Sequence, residues 1–234
     1  MATNMNVIAF HGNLTKDAEK TTSQKGASII RFTVAVNRKR GEQERVSYID
    51  VVAFDKTAEG AFEYLKKGKG VNVAGSVSQS RWEKDGKNYS RIEVIASQVQ
   101  LADGGSKNSI ITMFLNGNLT KDASVRTTQG GTPVIDLSVA VNRGENVSFI
   151  DCSYFNKNAS NLVKYLTKGK SVNLEGILTQ DRWEKDGQAH SRTYMLVSQV
   201  ELLNAPQKKD EKAAPAPAAE DNGPENFGDD DIPF

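Results

Sequence analysis

The chain has 234 residues, 38% of them hydrophobic and 25% charged, with 30 Lys and Arg against 29 Asp and Glu, one cysteine and two histidines. No run reaches the roughly 18 apolar residues of a membrane span and the N-terminus lacks a signal-peptide core, which predicts a soluble, cytoplasmic protein. Cys152 alone can form neither an intrachain disulfide nor a thiolate cluster, and His11 and His190 lack ligand spacing, so no metal or cofactor is expected and Cys152 reads as a core residue.

The net charge of +1 hides a division along the chain. Ala213 to Phe234 hold six acidic residues and no Lys or Arg, which leaves 30 basic against 23 acidic side chains, a net +7, for Met1 to Lys212. A basic body with an acidic end points to a polyanion ligand and a second, separate interaction.

The sequence copies itself. GNLTKDA stands at Gly12 to Ala18 and again at Gly117 to Ala123, and TVAVNR (Thr33 to Arg38) is answered by SVAVNR (Ser138 to Arg143), both offset by 105. YLKKGK against YLTKGK, and RWEKDG against RWEKDG, are offset by 101, because the Arg38 to Val46 loop shrinks by four residues to Arg143 to Val147. A period near 100 suits a duplicated globular domain. The expected organisation is a first domain at 1–103, a linker at 104–109 with Gly104, Gly105 and Ser106, a second domain at 110–204, and a tail at 205–234.

In chain order, the second strand alternates Ile30, Phe32, Val34 and Val36 with Arg31, Thr33, Ala35 and Asn37, a half-buried pattern kept by Ile135, Leu137, Val139 and Val141. In the third strand Ile49, Val51 and Ala53 oppose Tyr48, Asp50, Val52 and Phe54, and Asp50 marks the second set as the wetter face. Ile150, Cys152 and Tyr154 likewise oppose Phe149, Asp151, Ser153 and Phe155. A helix is predicted from Asp55, with Ala58, Ala61, Phe62 and Leu65 on one face and Ala159, Leu162, Val163 and Leu166 repeating the spacing. Asp55 and Asn156 are candidate caps at its start, Gly68 and Gly169 at its end. In the fourth strand Val71, Val73, Gly75 and Val77 form the apolar row, and Trp82 falls in phase with Asn72, Ala74, Ser76, Ser78 and Ser80. Trp183 follows Asn173, Glu175, Ile177 and Thr179 in the same way. Lys84-Asp85-Gly86 and Lys185-Asp186-Gly187 then read as hairpin turns. Five strands with a helix between the third and fourth is the order of an OB barrel, so the predicted fold is mainly β: two tandem five-stranded OB barrels and a disordered acidic C-terminal tail.

Strand phase puts both tryptophans on the polar side, flanked by Arg81, Lys84 and Lys87 in one copy and by Arg182 and Lys185 in the other. Outward aromatics with cations beside them suit a single-strand groove, where bases stack on π surfaces and cations follow the phosphates. The halves differ: 16 basic and 12 acidic side chains in 1–103 against 10 and 9 in 110–204, with Arg31 replaced by Asp136 and Lys87 by Gln188. The first half is expected to bind more tightly and with the steeper salt dependence.

GNLTKDA, the VVAF segment, YLKKGK, RWEKDG and the terminal DDDIPF together resemble the bacterial single-stranded DNA-binding protein family, over both domains and the tail. The resemblance implies base stacking by Tyr48, Phe54 and Trp82, with Phe149, Phe155 and Trp183 in the second copy. It also implies sequence-nonspecific binding in replication, recombination and repair, near the nucleoid. Well-studied members of the family place another tryptophan in the loop before the third strand, where this chain has Arg38, Lys39 and Arg40, or the shortened loop after Arg143, so charge is expected to replace stacking there. The resemblance to two-domain members of the family, which form dimers, implies a homodimer with four OB domains. The tail's alternating Ala and Pro and its acidic residues predict disorder. Its tip, Asp229, Asp230, Asp231, Ile232, Pro233 and Phe234, is an apolar knob within negative charge, suited to basic-rimmed pockets on replication and repair proteins. An RNA-binding OB protein and a protein-only adaptor are the alternative readings; no nucleophile, metal or phosphate-loop motif points to an enzyme.

Overall fold

The computed structural model describes residues 3–23, 26–40, 43–54, 56–102, 109–128, 130–185 and 187–203. The first copy contains β1 (Asn6–Leu14), β2 (Glu19–Thr22), β3 (Ser28–Arg40), β4 (Gln43–Phe54), α1 (Lys56–Glu59), β5 (Gly70–Lys84) and β6 (Lys87–Ala102). The second contains β7 (Ile111–Leu119), β8 (Ser124–Thr127), β9 (Pro133–Arg143), β10 (Asn146–Phe155), α2 (Ala159–Leu162), β11 (Ser171–Lys185) and β12 (Gln188–Leu203). Each copy is the expected OB barrel, with β2 or β8 added as a four-residue edge strand that its polar sequence had not signalled.

Closure explains the repeated glycines. Strand β1 leaves β5 to pair with β3 at Asn13↔Ala35, and β4 joins β6 in parallel at Val51↔Val94. A Cβ on Gly12 would stand 2.4 Å from the Ala35 carbonyl oxygen, and on Gly117 2.3 Å from that of Ala140, so only glycine permits the crossing. Between Ala74 and Gly75 the ladder slips by one residue, and the extra residue, Ser97, lies on β6. The alternation of β5 therefore survives the bulge, and Ser198 on β12 plays the same part. Inside, Ile30, Val34, Ile49, Val71 and Val94 are buried, and Cys152 stands among their counterparts.

The continuous helix expected after the third strand is broken. α1 ends at Glu59 and a 3-10 turn follows at Phe62–Tyr64; α2 runs directly into another at Val163–Tyr165. Gly60, a poor helix former, follows α1 in the first copy, and in both copies the tight turns drop Leu65 and Leu166 fully into their barrels. Asp55 lies outside the described residues. Asn156 accepts the Asn158 amide (2.7 Å) one turn ahead of α2 rather than capping it. Gly68 and Gly169 are left-handed (φ 82 for both), but in the turns that launch β5 and β11.

The two halves share one sheet. β1 pairs antiparallel with β7 from Asn6↔Leu115 to Phe10↔Ile111, giving the order β2-β3-β4-β6-β5-β1-β7-β11-β12-β10-β9-β8. Ile8 pairs with Met113, its own equivalent at the offset of 105, so a pseudo-twofold axis passes through that pair. Matching backbone ties flank it: Asn4 N donates to Asn142 O (3.0 Å) and Ser109 N to Asn37 O (2.7 Å). Residues 103–108, with the expected linker, and 204–234, with the tail and its tip, lie outside the described residues.

Candidate nucleic-acid interface

The outward face of each barrel is built from β4 and the long β5–β6 hairpin, or from β10 and β11–β12. Asp85 (φ 52) and Gly86 (φ 68) form the predicted two-residue turn, which sets Lys84 opposite Lys87 and Trp82 opposite Tyr89. Both tryptophans face outward as their phase required, 44% exposed at Trp82 and 46% at Trp183. Trp82 stacks on Tyr89 with centroids 5.8 Å apart and planes 15° from parallel, and Trp183 on His190 at 5.7 Å and 17°. Tyr89 and His190 escaped the sequence reading, although the Asp-Gly turn alone determines that they face the indoles.

Phe54 (40% exposed) and Phe155 (47%) stand on the surface rather than beneath the helical turns. Asp50 accepts the Thr33 hydroxyl (2.7 Å) and pairs with Arg91 (2.6 Å), while Asp151 pairs with Arg192 (3.0 Å), so each carboxylate on the groove face is neutralised. Val52, expected on the wetter face, is only 2% exposed. Arg31, its register partner on β3, reaches across β4 to Glu93 on β6 (3.5 Å). In the second copy Ser153 is buried at the matching position and donates to Asp136 (2.7 Å), which is also held by Arg126 (2.6 Å).

The hairpins do not stay on their own barrels. The Gln79 amide donates to Ser148 Oγ (3.1 Å) and the Phe149 amide to Gln79 Oε1 (3.2 Å); reciprocally, the Gln180 amide donates to Ser47 Oγ (3.2 Å). Ser47, in phase with the apolar row of Ile49 and Val51, and Thr179, in phase with the polar row of its strand, are buried at this junction with their hydroxyls 3.2 Å apart. Arg81 lies over the Phe149 ring, its Cζ 4.7 Å from the centroid, and Arg182 over the Tyr48 ring at 3.9 Å. Thus the expected site residues of one copy meet those of the other.

The segment after β3 is a hairpin rather than a loop, with Arg38 opposite Arg45 and Lys39 opposite Glu44. Arg38 donates to Thr179 Oγ1 (3.0 Å) and Arg143 to Ser76 Oγ (2.9 Å), each across the junction, whereas Lys39 is exposed. The side chains of Arg40, Lys84, Lys87 and Lys185 lie outside what the structure describes. Cys152 has no part in this face: burial, with a smaller contribution from the Asp151 charge, raises its thiol pKa far above the ordinary range.

The Single-strand binding protein family model matches residues 5–102 and 110–203. The single-stranded DNA-binding protein of Treponema pallidum is 41% identical over 101 residues, covering 42% of this chain and 57% of that protein. That of Deinococcus radiodurans is 31% identical over 232 residues, covering 87% of this chain and 77% of the relative. The crystal structure of the wild-type single-stranded DNA binding protein from Thermus aquaticus superposes with a TM-score of 0.72 at 26% identity, over 93% of this chain and 98% of that one. With the model matched once in each barrel, the chain belongs to the single-strand binding protein family.

Proposed function

We propose that the protein binds single-stranded DNA without sequence preference, over a surface that runs from the stacked pair on one hairpin arm to that on the other. The observation that carries this reading is the repeated arrangement of two exposed parallel rings, Trp82 with Tyr89 and Trp183 with His190, beside Arg81 and Arg182. Rings stack on any base and cations follow the backbone, which yields affinity without readout of base edges. Tyr48, Phe54, Phe149, Phe155 and Lys39 extend the surface. Titration with oligo-dT at two salt concentrations tests the proposal: tryptophan fluorescence is quenched and affinity falls as salt rises. Failure to bind at low salt overturns it, and a preference for a matched RNA oligonucleotide would favour the RNA-binding reading.

Replication, recombination and repair are the processes such binding serves, with the tip Asp229 to Phe234 recruiting partner proteins. Deleting those six residues is expected to abolish partner capture while preserving binding of oligo-dT; identical partner sets from full-length and truncated chains refute recruitment. The chain acts as a homodimer through the outer face of the central strands, where Val7 and Phe114 stand side by side and exposed, with Ala9, Ala74 and Thr112 in the next row. Light scattering is expected to give twice the chain mass of 25.5 kDa.

A further inference from the structure

We propose that Arg81 and Arg182 are placeholders: each guanidinium covers the stacking face of an aromatic ring on the other half of the chain, and an incoming base takes that face while the arginine moves onto the strand's phosphates. The proposal rests on the single-strand reading above. Its origin is the junction between the halves. Gln79, held by the Ser148 hydroxyl and the Phe149 amide, receives Arg81 Nη2 on its side-chain oxygen (2.6 Å), and the guanidinium is thereby set over Phe149. Gln180, held by Ser47, receives Arg182 Nε (2.9 Å), and that guanidinium rests on Tyr48. The ring differs and the donor nitrogen differs, yet the arrangement recurs. What the two copies share is an arm that delivers an arginine to an aromatic across the pseudo-twofold axis.

The energetic order allows exchange. An exposed cation-π contact is equivalent to about a two- to five-fold factor in an equilibrium, whereas stacking one base is equivalent to about five- to 150-fold. The displaced arginine keeps its charge and gains a phosphate, so it opposes binding through the contact it must give up and favours binding through the counterions it releases. These two effects respond differently to salt. Counterion release extrapolates to nothing near 1 M salt, while the occupied ring remains an obstacle at any ionic strength.

The test is the salt dependence of oligo-dT affinity for the full chain and for the double variant Arg81→Ala, Arg182→Ala. The variant is expected to have a slope of log K against log salt shallower by about 1.4, two contacts at about 0.7 each. It should bind several-fold more weakly at 50 mM salt but about four- to 25-fold more tightly near 1 M, so the two lines cross. A variant weaker at every salt concentration makes the arginines simple phosphate contacts and overturns the proposal. Loss of wild-type binding at low salt would instead remove the single-strand reading itself, and this inference with it. A second measurement needs no variant: NMR of the full chain should show the δ-methylene protons of Arg81 and Arg182 shifted upfield by the rings, and released at saturating oligo-dT. Persistence of the upfield shifts at saturation refutes displacement.

Discussion

Replacing Trp82 by Ala removes a ring 44% exposed and stacked on Tyr89, and Trp183→Ala does the same opposite His190. A base stacked on either indole contributes about 1–3 kcal/mol. Tyr89 stays behind in the first variant and keeps part of the platform, which sets the expected loss near the lower end, about 1–2 kcal/mol or five- to 30-fold in affinity. His190 is the smaller ring, so Trp183→Ala should fall further within the range. Folding is little affected, because each substitution deletes one exposed cross-strand pair, about 0.5–1 kcal/mol, or a Tm change of a few degrees in a chain of this size. Anisotropy titrations with labelled oligo-dT give the affinities, and fluorescence of each single variant reports the remaining indole alone. Unquenched fluorescence at saturation, or wild-type affinity in a folded double variant, would show that the indoles do not stack on bases.

Other outcomes test the framework around the site. Gly75→Ala places a Cβ 2.2 Å from the Ile95 carbonyl oxygen and 2.9 Å from the Ala96 Cα, so it should cost about 2–3 kcal/mol and several degrees of Tm; an unchanged melting curve would contradict the tight bulge. Cys152 is fully buried and its thiolate is disfavoured, so a thiol reagent at pH 8 should label it only after denaturation; labelling of the native protein refutes its core position. Residues 1–102 expressed alone retain a β1 whose partner Met113 is the repeat equivalent of Ile8, so a second copy can replace β7 in the same register. Light scattering should find a dimer of this fragment, and a stable monomer would count against the symmetric ladder.

Much of this protein is determined by local sequence. The duplication, the alternation of Ile30 to Val36, the Asp-Gly turns and the outward phase of Trp82 and Trp183 all depend on neighbours a few residues apart, where backbone geometry leaves few choices. Even the bulge at Gly75 left the phase of β5 intact, because its extra residue lies on the partner strand. The turn also determined the pairing of Trp82 with Tyr89, which follows from counting outward from Asp85 and Gly86. Tertiary structure alone decided the rest. Val52 is buried although its phase points it to the wetter face, and Thr179 is buried where a serine from the other barrel, 132 residues away, meets it. The junction that sets Arg182 on Tyr48 and Arg81 on Phe149 follows from β1 pairing with β7, a contact between an edge in one copy and an edge in the other. Alternation states which side of a strand a residue occupies; only the docking of the two barrels decides what then covers it.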